Sequence, residues 1–286
     1  MTYENNQHET DQMIELSCGS LIQHGTYNDR IYFMKTGDNV TDSLPHELID
    51  MAKQKQYSKI FAKVPEDMVN TFIRAGYELE AQIPGLYKGA AKGCFMGFYT
   101  DDMRAVEKDA QDFDDIRRLA ENRAGTPVTP LNKDMFTLRQ CVPADAGRMA
   151  EIYEKVFPSY PFPIQDPEYL LETMCSHVDY FGVEHKGELI ALSSAEMDNA
   201  SSSVEMTDFA TLPDFRGYGL AVHLLALMEE AMREKHILTA YTIARAASPG
   251  MNITFARLNY AFGGRLKNNT NISGSIESMN VWYKAL

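Results

Sequence analysis

Cysteine is scarce in this chain, and what there is shows no pattern. Cys18, Cys94, Cys141 and Cys175 form no CxxC and no Cys/His spacing, so neither a disulfide framework nor a metal site is expected. They are expected to be reduced, partly buried thiols. Basic residues are in deficit, 27 against 40 acidic, for a net charge of −13. That opposes binding to a nucleic-acid backbone, which needs a basic footprint. The acidic balance suits a small cationic partner, and it equally serves to keep a protein in solution. Long apolar runs are missing too: the longest, 220–228, is broken by His223 and falls far short of the ~20 residues that span a membrane. Residues 1–10 are polar and lack the apolar core of a secretory leader, so a cytoplasmic location is expected and the Asn39-Val40-Thr41 match carries no glycan.

What is present fits a folded protein of about two domains: 286 residues, 44% hydrophobic and 23% charged. The segment 100–134 has the character of a connector. It opens on Asp101 and Asp102, carries a helical repeat at Phe113, Ile116, Leu119 and Ala120, and closes with Gly125, Pro127 and Pro130. The expected division is an N-terminal α/β domain over 1–125, with its helical connector at 101–124, and a second domain over 134–286. In the first, strands are expected at 31–34, 60–64, 77–83 and 94–99, with helices at 44–56 and 65–75. In the second, the pattern predicts a strand at 136–139, a helix at 143–156 and a Pro-rich loop through Pro158, Pro161, Pro163 and Pro167. A hairpin over 180–197 turns at His185-Lys186-Gly187. Strand 204–212, helix 220–234, strand 240–244, helix 251–261 and strands near 265–269 and 279–284 complete the pattern. The sum is a mixed α/β fold.

The informative stretch joins strand 204–212 to helix 220–234 through Arg216-Gly217-Tyr218-Gly219-Leu220-Ala221. Two glycines permit positive φ and leave room for an anion near the backbone. The first helical N–H groups lack intrahelical partners and sit at the positive end of the helix dipole. Taken alone, such a turn fits an ordinary strand-to-helix connection as well as it fits an anion site. No GxxxxGK[ST] is present, and Val222 stands where a dinucleotide fingerprint needs its third glycine.

The pattern Arg216, Gly219, Ala221 after a strand resembles the pyrophosphate-binding signature of the GCN5-related N-acetyltransferase (GNAT) superfamily, and the element order of the whole second domain resembles it as well. Four segments, 209–220, 251–257, 268–274 and 277–284, look like those of beta-lysine N-acetyltransferases. The resemblance implies acetyl-CoA as co-substrate, held by Phe209, Ala210, Thr211, Arg216, Gly217, Tyr218, Gly219, Leu220 and Ala221, with Asn252 as a further contact or a plain helix-start residue. It also implies an acetyl group moved to the side-chain amine of a small diamino acid such as beta-lysine, giving N6-acetyl-beta-lysine, an osmolyte. Protein or peptide acetylation and a non-catalytic acyl-CoA sensor are the alternatives, and a homodimer is compatible with either.

Amine acetylation sets its own requirement. An alkyl amine with pKa near ~10.4 is almost wholly protonated at pH 7, so a base is expected. Strand 204–212 offers Glu205 first and Asp208 next, and the neighbouring strand offers Glu196 and Asp198. Simple alternation puts Glu205 and Phe209 on one face and Asp208 on the other. The superfamily's usual tyrosine, seven residues after Asn252, is Asn259 here; Tyr260, one residue later, is the candidate acid. Arg245 and Arg257 are candidate cations for a substrate carboxylate, and Phe157, Tyr160 and Phe162 are expected to cover the acceptor site.

In the first domain, residues 20–99 repeat the element order of the second domain's latter half, and the step at Phe72-Ile-Arg-Ala-Gly-Tyr resembles that at Tyr260-Ala-Phe-Gly-Gly. The Gly pair is absent, replaced by acidic Asp38-Asn-Val-Thr-Asp42. The expectation is a degenerate acetyltransferase-like domain that shapes the substrate site, an unrelated small α/β domain being the alternative.

Overall fold

The computed structural model describes residues 11–286; the polar stretch 1–10, the basis for expecting no leader, lies outside them. The first half contains β1 (Gln12–Glu15), β2 (Leu21–Gly25), β3 (Arg30–Lys35), α1 (Leu44–Lys55), β4 (Lys59–Pro65), α2 (Val69–Arg74), β5 (Glu78–Tyr87) and β6 (Ala91–Tyr99). Short α3 (Asp102–Ala105) and α4 (Ala110–Glu121) form the connection. The second half continues as β7 (Thr137–Gln140), α5 (Ala146–Val156), α6 (Pro167–Met174), β8 (Val178–His185), β9 (Glu188–Asp198), β10 (Ser203–Thr211), α7 (Leu220–Glu234), β11 (Thr239–Arg245), α8 (Pro249–Arg257), β12 (Ala261–Ile272) and β13 (Ser275–Ala285).

All these strands join one sheet, in the order β1-β2-β3-β4-β6-β5-β12-β13-β11-β10-β9-β8-β7. Among the described residues only β3–β4 and β10–β11 run parallel, each pair spanned by one helix, α1 or α7. The halves therefore share a plan, and their last hairpins meet edge to edge at the centre. At that seam Gly264 pairs with Ala81. A Cβ there would stand 2.3 Å from the Glu80 carbonyl oxygen, and its φ of +140° belongs to glycine.

The sheet is buried on both faces. On one, α7 and α8 cover Val204, Met206, Ala240 and Trp282, while α1 and α2 cover Ile31, Phe33, Ile60 and Ala62. On the other, Tyr32, Phe61, Ile83 and Phe95 of the first half pack with Tyr241, Leu266 and Val281 of the second, while α5 and α6 cover Tyr180, Leu192 and Ala210. This shared cluster makes the two halves one hydrophobic unit. A buried ion pair of the first half is tied across the same seam: Lys59 Nζ donates to both Glu80 oxygens (3.1 and 2.9 Å) and also to the Lys267 carbonyl of β12 (2.7 Å). The connector is tied down as well, since Arg265 pairs with Glu107 and Asp114.

Three expectations need correction. Strands β1 and β2 escape the sequence pattern because β2 buries Gln23 and His24 where alternation calls for apolar residues; His24 is held by the Tyr57 hydroxyl at 3.0 Å. The Pro-rich loop ends in a helix, α6, whose cap is Asp166 accepting from the Glu168 N–H at 2.9 Å. Pro167 occupies its first position, where proline starts helices rather than breaking them. Helix 251–261 is shorter than its pattern: α8 stops at Arg257 and Asn259 turns left-handed at φ +65°. The Tyr260 N–H then bonds back to the Phe255 carbonyl at 3.2 Å, a Schellman closure, so Tyr260 lies beyond the helix.

Candidate active site

Strand β10 is irregular on both edges, and the irregularity builds the site. Its parallel ladder with β11 runs only from Ser203 to Glu205, after which the two strands separate. On the other edge the pairing with β9 slips between Thr207 and Ala210, and Asp208 takes φ +55°. An extra residue in a strand re-aims the side chains beyond it. Glu205, Thr207 and Asp208 all line one cavity, whereas Phe209 turns to the opposite face and meets Phe255 edge-on at 5.6 Å. Simple alternation, which paired Glu205 with Phe209, is overturned by this bulge.

The cavity holds about 320 Å³. Its walls are Glu196, Glu205 and Asp208 from β9 and β10, Tyr160 and Phe162 from the Pro-rich loop, Tyr169 and Glu172 from α6, and Arg30, Tyr32 and Lys63 from the first half. Glu205 lies deep in the fold with part of its side chain facing the cavity. Burial, and after it the charge of Glu196, pushes its carboxyl up to about 8, against the opposing pull of Lys63 and a hydrogen bond from Tyr241. Asp208 accepts from Ser194 Oγ at 2.5 Å and from the Tyr160 hydroxyl. Burial nonetheless raises its pKa above the usual carboxylate value. His177 Nε2 stands 3.7 Å from Glu196, which raises the imidazole's pKa.

Past Thr211 the chain enters the glycine turn. Gly217 and Gly219 take φ of +88° and +70°, and a Cβ at Gly217 would meet nothing within 4 Å. No side chain caps the first turn of α7. Leu220 is buried beneath it, Ala221 is half-buried, and Arg216 and Tyr218 are exposed. Arg216 Nε donates to the Thr211 carbonyl at 3.3 Å, and the Tyr218 ring meets Phe136 at 5.3 Å. An open, uncapped helix start with two left-handed glycines fits a diphosphate.

Other candidates stand elsewhere. Asn252 is fully buried: its Nδ2 donates to the carbonyls of Arg245 (3.0 Å) and Ser248 (2.7 Å), and its Oδ1 accepts from Asn280 (2.8 Å) and Trp282 (2.9 Å). With every position of the amide taken, it clamps the chain after β11 to β13 and has nothing to offer a cofactor. Tyr260 is buried under Phe255 on the α7–α8 face, with its ring 5.6 Å from Lys284 Nζ and its hydroxyl toward Glu229. The early end of α8 is the physical reason it misses the cavity. Arg245 is bound by both nitrogens to Glu277 at 2.7 and 2.6 Å, and Arg257 is held by the Pro127 carbonyl. Neither lines the cavity. Tyr160 and Phe162 do line it, and Phe157 packs on Tyr160 at 4.9 Å. Sequence reasoning missed Arg30 and Lys63. Their signal is a charge flanking an apolar run, Arg30 just before 31–34 and Lys63 just after 60–62.

The parted strand pair and the glycine turn at an uncapped helix leave room for an anionic acyl carrier beside two half-buried carboxylates, Glu205 and Asp208, the layout of an acyltransferase. Residues 149–252 match the Acetyltransferase (GNAT) family model, and the chain belongs to the GNAT acetyltransferase family as an acetyl-CoA-dependent N-acetyltransferase. It is 38% identical over 274 residues to a beta-lysine N(6)-acetyltransferase of Methanococcus maripaludis, covering 96% of this chain and 98% of the relative. A beta-lysine N(6)-acetyltransferase of Methanosarcina mazei is 44% identical over 151 residues, 53% of this chain and 56% of that one. The N-acetyltransferase YodP of Bacillus subtilis is 28% identical over 269 residues, 93% and 96% of the two chains. Among the described residues no cluster of His, Cys, Asp or Glu is arranged to hold a metal ion, and no helix is long and apolar enough to cross a membrane.

Proposed function

We propose that this enzyme acetylates the terminal side-chain amine of beta-lysine, giving N6-acetyl-beta-lysine, a zwitterion suited to osmolyte use. One observation carries the reading: the cavity beside Glu205 is small, enclosed by both halves and walled by Glu172, Glu196, Glu205 and Asp208. Such a wall attracts a cation, and about 320 Å³ takes a small diamino acid rather than a peptide chain. The name of one relative that shares nearly the whole chain agrees with it.

Acetyl-CoA, when bound, supplies the acyl thioester whose acyl group passes to the amine with release of free thiol. The turn at Arg216, Gly217, Tyr218, Gly219, Leu220 and Ala221 would receive its diphosphate. Phe209, Ala210 and Thr211 would lie along it, on the β10 edge that β11 leaves unpaired. Glu205 takes the proton from the substrate ammonium, and its pKa near 8 suits a base working close to neutrality. Asp208, fixed by Tyr160 and Ser194, holds the same ammonium in line. No tyrosine is needed as acid: a thiol with pKa near ~8.5 leaves readily as thiolate and takes up the second proton that the nitrogen sheds as the amide forms. The division of labour follows the two halves, with the cofactor loop in 134–286 and the acceptor wall completed by 11–99.

The test is thiol release from acetyl-CoA with beta-lysine, lysine, ornithine, polyamines and basic peptides. Beta-lysine is expected to give the highest kcat/KM, with the product acetylated on its terminal amine by NMR. A basic peptide as the best acceptor, or acetyl-CoA binding with no turnover of any amine, would sink the reading.

A further inference from the structure

A diamino acid bound by its terminal amine still has a carboxylate and a second ammonium to satisfy. The cavity wall nearest β3 carries groups waiting for such partners. Arg30 is 4% exposed and lines the cavity. One terminal nitrogen donates to the Asn269 carbonyl and, at 3.1 Å, to Thr270 Oγ1. Its Nε is buried with no hydrogen-bond partner, and among the described residues it forms no ion pair. Asn269, on the same wall, is 1% exposed and its Oδ1 is likewise unpartnered. Leaving a buried donor on a charged group and a buried acceptor unmade is costly, and native interiors seldom do it without a role for the site.

We propose that Arg30 is the specificity-determining residue that binds the substrate carboxylate, with Asn269 Oδ1 accepting from the ammonium beside it. The proposal rests on the diamino-acid reading above. A guanidinium presents its donors as a planar fork that matches a carboxylate, and here the fork is already fixed. Its plane lies by Tyr32 and Phe61, 5.4 and 5.6 Å from their centroids, and its terminal nitrogen is tethered to β12. A β-amino acid carries ammonium and carboxylate on neighbouring carbons, which suits one donor and one acceptor side by side. The far end of the site also fits. Arg30 and Glu205 line the same cavity, so one ligand can meet both. Lys63 is the rival cation: it lines the cavity too, lies partly exposed and has no unmade hydrogen bond buried with it.

The experiment compares two acceptors in the full chain, beta-lysine and 1,4-diaminopentane, which has the same skeleton without the carboxylate. Wild type is expected to prefer beta-lysine. Arg30→Met should lower kcat/KM for beta-lysine by roughly 10- to 150-fold, the scale of a lost charge-assisted hydrogen bond, and change the diamine less than threefold. The KM for acetyl-CoA should stay put. Because the ratio of acceptors is taken within one variant, it does not depend on how much of that variant is folded. Arg30→Lys, which keeps charge and loses the fork, covers the case of an insoluble methionine variant and should lower the ratio severalfold. An unchanged acceptor ratio in both variants, or a ratio that collapses in Lys63→Met instead, overturns the assignment while the substrate reading stands. A wild type that turns over neither acceptor overturns both.

Discussion

In the first half, β3 stays beside β4 from Arg30 to Phe33 without a break. In the second, β10 keeps to β11 for three residues and then leaves it. The third rung of each parallel ladder holds the contrast in one pair: Tyr32 against Phe61 in the first half, Glu205 against Tyr241 in the second. Tyr32 and Phe61 stack at 4.5 Å and fill the space between their strands. Glu205 leaves its strand as a half-buried carboxylate facing a cavity. The connections differ in the same sense. Gly37 backs onto chain, where a Cβ would stand 2.2 Å from the Cys18 carbonyl oxygen, and acidic Asp38 and Asp42 come after it; a Cβ at Gly217 would stand in open space. One topology thus serves twice, closed as a wall and open as a site. The difference lies in a few residues where β10 bulges and the glycine turn stays clear.

Removing the carboxylate attacks the contrast most directly. Glu205→Gln should lower kcat by about 100-fold or more, the scale of general-base catalysis. The sign of the pH effect is fixed: a carboxyl held near 8 is protonated and idle below that pH, so wild-type activity should climb as pH rises through 8. The glutamine variant should lack that limb. A kcat/KM–pH profile identical in both proteins would move the base elsewhere.

Next in size is the turn. Gly219→Glu sets a carboxylate beside the diphosphate position and forces an L-residue to φ +70°. Acetyl-CoA affinity by calorimetry should fall at least tenfold, and Gly219→Ala should show the smaller part due to strain alone. The same titration of wild type should find one acetyl-CoA site per chain. A second site would mean that the closed half is not closed.

The smallest expected effect concerns Tyr260. Tyr260→Phe should leave kcat within twofold, since the hydroxyl lies toward Glu229 on the far face of the sheet. A loss of tenfold or more in kcat, with an unchanged melting temperature, would return it to the chemistry.

Much of this protein is legible along the chain, because much of it is local. Helix α7 runs over the 220–234 that its apolar spacing predicts, and the hairpin turns at Lys186 and Gly187, both at positive φ. The glycine turn announces itself by residue type, since few residues other than glycine tolerate those angles. The illegible part depends on a strand's neighbours. A bulge shows only where a partner strand fails to keep step, so the face of Asp208 and Phe209 is undecidable from alternation. The stop of α8 at Arg257 moves Tyr260 out of reach and leaves Asn252 bonding Asn280 and Trp282, partners 28 and 30 residues away. Arg30 and Glu205, 175 residues apart in the chain, line one cavity only because the fold brings β3 and β10 to it. Local sequence determines conformation where the chain answers to itself; the site had to wait for the fold, because its walls come from strands that only tertiary packing brings together.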